Sequence, residues 1–373
     1  MRFGILKELT EKRVAITPDF VKKLVAQKHE VVFEKGCGEG AALVDELFVA
    51  EGAKAADRAE VLAAADVITT IIPLPESDLD QVKKGAVLIS QFQPFADDSI
   101  CEKLASKGLT ALSMDMIPRS TIAQAMDVLS SMASIAGYKA VLTAADYLPR
   151  YMPMLSTAAG TIRPAKMLVL GAGVAGLQAI ATGRRLGAMV EAFDTRAAAK
   201  EEVMSLGAKF VEVEGASDDK AAGGYAVEQT EEYKQRQADL IFQKVSKADI
   251  VITTAQLRGR PAPLLVNEEM LKAMPQGAVL IDLAASTGGN VAFSKHREVV
   301  KTHGVTIVGN SELADEVPEH ASQLFSRNVE NFLKHKDFLS EEGFSFDFEE
   351  DIFGSACIVY NGEVRFGAPA LTK

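Results

Sequence analysis

Apolar positions in this chain come in short β-branched runs separated by stretches with helical spacing. From the N-terminus, RFGIL, TPDFVKKLVAQ and EVVFE read as strand, helix and strand. Thr17 can cap that helix and Pro18 suits its first position, while Phe20, Val21, Leu24 and Val25 share one face. DVITTII (66–72), AVLIS (86–90) and TALSM (110–114) continue the strands, with helix-length segments between them. A second series opens after residue 160, in KMLVLGAG, MVEAFD, KFVEVE, DIVITT, AVLIDLA and VTIVG. Such apolar runs suit parallel strands buried by helices on both sheet faces. The pattern predicts two α/β domains. Farther on, SQLFSRNVENFLKHKDFL has helical periodicity and ACIVYNGEVRF reads as a hairpin turning at Asn361-Gly362. This tail is expected to pack back on the first domain.

The strand KMLVL runs directly into Gly171-Ala172-Gly173-Val174-Ala175-Gly176, a G-x-G-x-x-G pattern that opens a helical stretch. Glycines there permit a tight turn and bring a pyrophosphate close to the helix N-terminus, whose N–H groups and dipole favour negative charge. Asp194 ends the next strand, about 20 positions on, where a carboxylate can accept from the hydroxyls of an adenosine ribose. Beside a 2′-phosphate the same carboxylate would be repelled by roughly 4 kcal/mol at 4 Å, so NAD is favoured over NADP. Arg196 could meet a phosphate or could sit solvated in its loop. The segment EGASDDKAAGGYAVEQT is small and polar, which suits a mobile flap over about 214–230 with Tyr225 as its contact, or a surface insertion.

Composition narrows the partners. Of 373 residues 48% are hydrophobic and 24% charged, and a net charge of −11 argues against nucleic acid or an anionic membrane surface. Cys37, Cys101 and Cys357 are far apart, with no disulfide framework and no metal-ligand spacing, which fits a reduced cytosolic setting. The N-terminus MRFGILKELTEKR is charged by residue 7 and lacks a signal-peptide core. No run is expected to reach the roughly 18 to 20 apolar residues of a membrane span.

A carbonyl or imine reductase needs a proton donor, usually histidine or lysine. The five histidines lie in helix-like or loop contexts without catalytic neighbours. GCGEG at 36–40 reads as a plain turn, because no phosphate-binding lysine follows it. Attention moves to IPRSTIAQAMDVLSS (117–131), which follows the last strand of the first domain and leads into a helix toward the second. Ligand clefts form at such interdomain positions. Arg119, Gln124 and Asp127 are its polar members; an Arg119–Asp127 ion pair with Gln124 in solvent would also account for them.

These residues and MDMIPRSTIAQAMDVLSSMASIAGYKAV, VLGAGVAGLQAIATGRRLGA, DTRAAAKEEVMSLGAKF, AGGYAVEQTEEYKQRQ and IDLAASTGGN together resemble one family. It is the nucleotide-binding alpha subunits of proton-translocating nicotinamide nucleotide transhydrogenases, and the likeness runs from RVAITP to GAPALT. The resemblance implies two Rossmann-like open parallel-sheet domains with a cleft between them holding NAD(H), the first (1–128) completed by the C-terminal segment (317–373) and the second spanning 129–316. Arg119, Gln124 and Asp127 fall on the family's Arg-Gln-Asp loop, with Ser130 beside it at the nicotinamide end. Cofactor contacts are expected from 171–176, Asp194, Thr195, Arg196, Tyr225, Gln256 and Leu257. Four residues after Tyr225 the family often carries methionine; here Gln229 stands in its place. The family further implies a homodimer docking a beta subunit that binds NADP(H), membrane-spanning subunits absent from this chain, and Re/Si-specific hydride transfer coupled to proton translocation. A peripheral place on the cytoplasmic face of the inner membrane follows from those partners.

Alanine dehydrogenase is the related alternative, with Arg13 matching its substrate arginine. Its lysine has no counterpart in DVITTIIPLPESDLDQV, and Gln93 stands where its histidine would lie. Transfer between two nicotinamide rings moves no proton at either carbon, so it needs orientation and no general acid or base. On that reading Asp127 and Ser130 hold the carboxamide, Gln124 steers the second nucleotide and Arg119 fixes the ring or a phosphate-side group. A noncatalytic NAD-binding module is the third alternative.

Overall fold

The computed structural model describes residues 1–212, 231–256 and 259–367. The segment 214–230 with Tyr225 and Gln229, and Leu257, lie outside the described residues. Two compact units are present, Met1–Met132 with Asp315–Lys373, and Ala133–Ala314.

Strands β1 Arg2–Ile5, β2 Glu30–Glu34, β3 Lys54–Ala56, β4 Val67–Thr69, β5 Val87–Ser90 and β6 Thr110–Ser113 come first. The short hairpin β7 Leu155–Thr157 and β8 Gly160–Ile162 follows. Then come β9 Lys166–Leu170, β10 Met189–Phe193, β11 Lys209–Phe210, β12 Ile250–Thr253, β13 Val279–Asp282, β14 Glu298–Thr302 and β15 Val305–Gly309. The tail supplies β16 Leu339–Ser340, β17 Gly343–Phe344, β18 Cys357–Tyr360 and β19 Glu363–Val364.

The first unit's sheet runs β19-β18-β6-β5-β4-β1-β2-β3, and the second unit's β11-β10-β9-β12-β13-β15-β14. Both contain the doubly wound order 3-2-1-4-5-6 in parallel strands. Antiparallel strands finish each: β14 beside β15, and β18 beside β6 with β19 outside it. The tail thus extends the first sheet through Cys357 opposite Leu112. Its hairpin turns at Asn361 and Gly362, both at positive φ (48° and 83°), as the mirror-image turn requires.

Local expectations are met with three corrections. The Pro18–Ala26 helix has Thr17 at its N-cap, but the hydroxyl donates to Ser326 Oγ (3.2 Å) instead of accepting from the helix. Phe20, Val21 and Leu24 are buried, whereas Val25 at the stripe's edge is exposed. The Val128–Tyr147 helix corrects the expectation that no run reaches membrane length, since by length and composition alone it could cross one. Ala136, Ala140, Val141 and Ala144 on it belong to the second unit's core. A Cβ on Gly137 would lie 2.1 Å from Ala175 O, so glycine lets this helix meet the backbone of the Val174–Arg185 helix.

Candidate functional site

In an open α/β sheet, ligands bind beyond the carboxyl ends of the strands where the order reverses. In the second unit that point lies between β9 and β12, and the glycine triplet sits there. Gly171 takes φ +100°, a value costly for side-chain-bearing residues, and its N–H donates to Phe193 O. Its carbonyl accepts from Thr254 Oγ1 at 3.0 Å, and a Cβ here would stand 2.4 Å from that oxygen. A Cβ on Gly176 would be 1.9 Å from Gly171 O, so this glycine sets how closely helix and strand pack. Gly173 has nothing within 4 Å of its Cβ position and is the N-cap of the Val174–Arg185 helix. Beyond it the first-turn N–H groups lack intrahelical acceptors. A turn, an open backbone face and a close helix packing are the three features a dinucleotide pyrophosphate needs, so the loop fits NAD(H).

Asp194 follows β10 and is tied to this loop. Its Oδ2 accepts from Ala172 N (2.7 Å), and its Oδ1 accepts from Arg196 N (2.8 Å). Arg196 Nε and Nη2 donate to the two oxygens, each at 3.0 Å. Burial raises the carboxyl pKa, but the Arg196 side chain, then the Arg196 and Ala172 N–H groups, outweigh it and hold Asp194 below its ordinary value. Asp194 is therefore ionised at neutral pH, with its side chain 8% exposed against 53% for Arg196. Arg196 is thus an ion-pair partner rather than a freely solvated loop residue. Thr195 is exposed, and Gln256 is exposed with its Nε2 donating to Leu283 O (2.6 Å).

Sequence reasoning passed over the residues that shape the neighbouring strand ends. Asp282, fully buried at the end of β13, accepts from Thr253 Oγ1 and Ala284 N on one oxygen and from Asn290 N and Val291 N on the other. Asn290 in turn accepts from Ala255 N and donates to the carbonyls of Ala255 and Pro263. The signal was the Gly288-Gly289 pair: both glycines take positive φ and deliver Asn290 under Asp282.

In the first unit the Arg119–Ser130 segment combines buried anchors with exposed polar groups. Ala123 and Met126, with Ile117 just before the segment, are buried in the unit's core, while Arg119, Ser120, Thr121, Ile122 and Gln124 face solvent. Asp127, at φ −74° and ψ 92°, caps the following helix: its Oδ1 accepts from Ser130 N (2.9 Å) and its Oδ2 from Ser130 Oγ (2.5 Å). The alternative Arg119–Asp127 ion pair does not form. Among the described residues, Arg119 and Gln124 make no side-chain hydrogen bond or ion pair.

The first unit's own strand-order reversal, between β1 and β4, is closed. No glycine follows β1; instead Glu8, buried there, accepts from Ile71 N (2.6 Å) and Ile72 N (3.2 Å). Desolvation pushes its pKa up to about 8, with Glu11 adding, against the pull of the two N–H groups and Arg13. Arg13 is itself buried and ion-paired to Glu11. Gln93 sits at φ +51° with its N–H directed to Asp115 Oδ1 (3.4 Å).

Family models for the N-terminal and C-terminal domains of alanine dehydrogenase/PNT match residues 4–136 and 140–367. The chain is 43% identical over 382 residues to an NAD(P) transhydrogenase alpha-subunit chain of Rhodospirillum rubrum, covering 100% of this chain and 99% of that one. The crystal structure of a transhydrogenase from Sinorhizobium meliloti matches with a TM-score of 0.89 and 41% identity, over 98% of this chain and 100% of that chain. An L-alanine dehydrogenase structure, 24% identical with a TM-score of 0.79 over 98% and 96% of the two chains, shares the fold.

Proposed function

Because the chain belongs to the alanine dehydrogenase/PNT family, on its NAD(P) transhydrogenase alpha-subunit side, we propose that it presents NADH for direct hydride exchange with NADP⁺ held on a beta partner subunit. Bound NAD(H) supplies or accepts the hydride. The glycine loop and the Val174–Arg185 N-terminus bind the pyrophosphate, and Asp194 takes the adenosine ribose. Thr195, Arg196 and Gln256 complete these contacts, as do Tyr225 and Leu257. Asp127 and Ser130 hold the carboxamide, Arg119 fixes the ring or a phosphate-side group, and Gln124 steers the incoming nucleotide.

The observation that carries this reading is the character of the Arg119–Ser130 segment. It offers a cation and an amide with no competing partner among the described residues and contains no histidine or lysine, which suits ring orientation without proton transfer. Arg13, the residue an oxo-acid carboxylate would need, is already neutralised by Glu11. The reading extends to a Re/Si-specific, proton-translocating assembly in which a homodimer of this chain docks the beta subunit and membrane-spanning subunits, peripheral to the cytoplasmic face of the inner membrane.

Two mixtures test it. With NADH, pyruvate and ammonium the purified chain should be inert, and clear NADH oxidation would establish an alanine-dehydrogenase-like enzyme instead. Adding an NADP(H)-binding partner domain should produce transhydrogenation; its absence would leave a noncatalytic NAD-binding module. Gln124→Asn should slow that transfer and leave NADH affinity nearly intact, and a large loss of affinity would refute the steering role.

A further inference from the structure

The exposed half of the Arg119–Ser130 segment needs a fixed backbone if it is to orient a ring, and its own hydrogen bonds are few. Ser120 N reaches Pro118 O, Ala123 N reaches Ser120 O, Met126 N reaches Ala123 O and Asp127 N reaches Gln124 O, all short-range bonds within the segment. The external tie is at Ala125, the residue after Gln124. Its carbonyl accepts from Asn328 Nδ2 at 2.9 Å and from Asn331 Nδ2 at 3.0 Å, two amides three residues apart on the Pro318–Lys334 helix. That spacing puts both on one helix face, and together they fill the two acceptor positions of one carbonyl.

Asn328 carries a cost for this contact. It is 5% exposed among Phe325, Val329 and Phe332, and its Oδ1 is buried with no hydrogen-bond partner. An unsatisfied buried acceptor destabilises a fold, and an apolar side chain here would avoid the penalty. The amide is therefore explained by what its Nδ2 holds. We propose that Asn328 and Asn331 are positioning residues for hydride transfer, clamping the Ala125 carbonyl so that Gln124, the residue before it, keeps a fixed direction. This rests on the reading of the Arg119–Ser130 segment given above.

The test uses the full chain reconstituted with an NADP(H)-binding partner domain, measuring single-turnover transfer, NADH affinity by fluorescence titration, and melting temperature. Asn331→Ala removes one donor from a half-buried site, and Asn328→Asp replaces the other with an oxygen of the same shape. Each should slow transfer by several-fold, and the pair by roughly tenfold or more, as expected when reacting groups lose orientation. NADH affinity should stay within about twofold, and the Asn331→Ala melting temperature should match wild type. In a Gln124→Asn background the Asn331→Ala change should add almost nothing, because both act through the same side chain. Wild-type transfer in both asparagine variants, while Gln124→Asn is slow, would overturn the clamp. So would full multiplication of the two losses. Wild-type transfer in Gln124→Asn itself would overturn the reading of the segment, a separate result. Should Asn328→Asp fail to fold, Asn331→Ala decides alone.

Discussion

Replacing Glu8 by glutamine tests whether an internal carboxyl group closes the first unit's strand-order reversal. Burial, the largest influence, takes Glu8 from an ordinary 4.5 up to about 8, with Glu11 reinforcing it and the Ile71 N–H opposing. The folded state therefore holds this proton more tightly than the unfolded state does. The stability it contributes is complete below about pH 4.5, declines as the pH rises, and is gone above about pH 8. At 1.36 kcal/mol per pH unit, a window of roughly 3.5 units corresponds to about 5 kcal/mol as an upper figure. Glutamine is neutral throughout. Its Oε1 can still accept from Ile71 N, but its Nε2 would turn a donor toward Ile72 N, costing about 1–3 kcal/mol. Wild type should thus be the more stable protein at pH 5 and Glu8→Gln the more stable at pH 9. Urea unfolding of both proteins at each pH from 5 to 9 gives the difference, in which the other carboxylates cancel. Two curves separated by a constant offset would refute the argument, because Glu8 would then be ionised across the range.

The glycine triplet separates folding from binding within one loop. Gly176→Ala places a Cβ 1.9 Å from Gly171 O, a backbone atom, and should lower stability by about 2 kcal/mol or more, read as a fall in melting temperature. Gly173→Ala meets nothing within 4 Å and should melt like wild type while weakening NADH binding by fluorescence titration. Asp194→Ala frees Ala172 N and removes the charge facing a 2′-phosphate, so the ratio of NADH to NADPH affinity should fall at least about tenfold. An unchanged ratio would show that the discrimination lies elsewhere.

What could be read from the sequence is what local chemistry dictates. The triplet at Gly171, Gly173 and Gly176 and the carboxylate at Asp194 are legible because they form a short, local spacing pattern, in which the positive φ of Gly171 and the close approach at Gly176 require glycine. Strands β3 and β14 escaped notice because they are short or largely exposed and carry few inward apolar positions. DVITTII shrank to Val67–Thr69, because at Ile71 and Ile72 the chain turns its N–H groups to Glu8. That contact spans 63 residues and leaves no periodicity to find. The same holds for Asn328 and Ala125, brought together by a helix that joins the first unit's core from the far end of the chain.

The two units make an internal comparison that separates fold from function. Both sheets contain the same doubly wound order, so topology alone would equip both for a nucleotide. In the second, glycine at φ +100° follows the central strand, leaving an open backbone face at a helix N-terminus. In the first, the corresponding turn carries Glu8, whose two oxygens take the backbone N–H groups at the end of the adjacent strand. An incoming phosphate would find those donors used and a carboxyl group in its place, and above about pH 8 it would meet a negative charge as well. The difference lies in the residue types of one turn. On the function proposed above, the first sheet carries the Arg119–Ser130 segment beyond β6. The shared strand order decides only where a site can form, and the chemistry of the loop there decides what that site can hold.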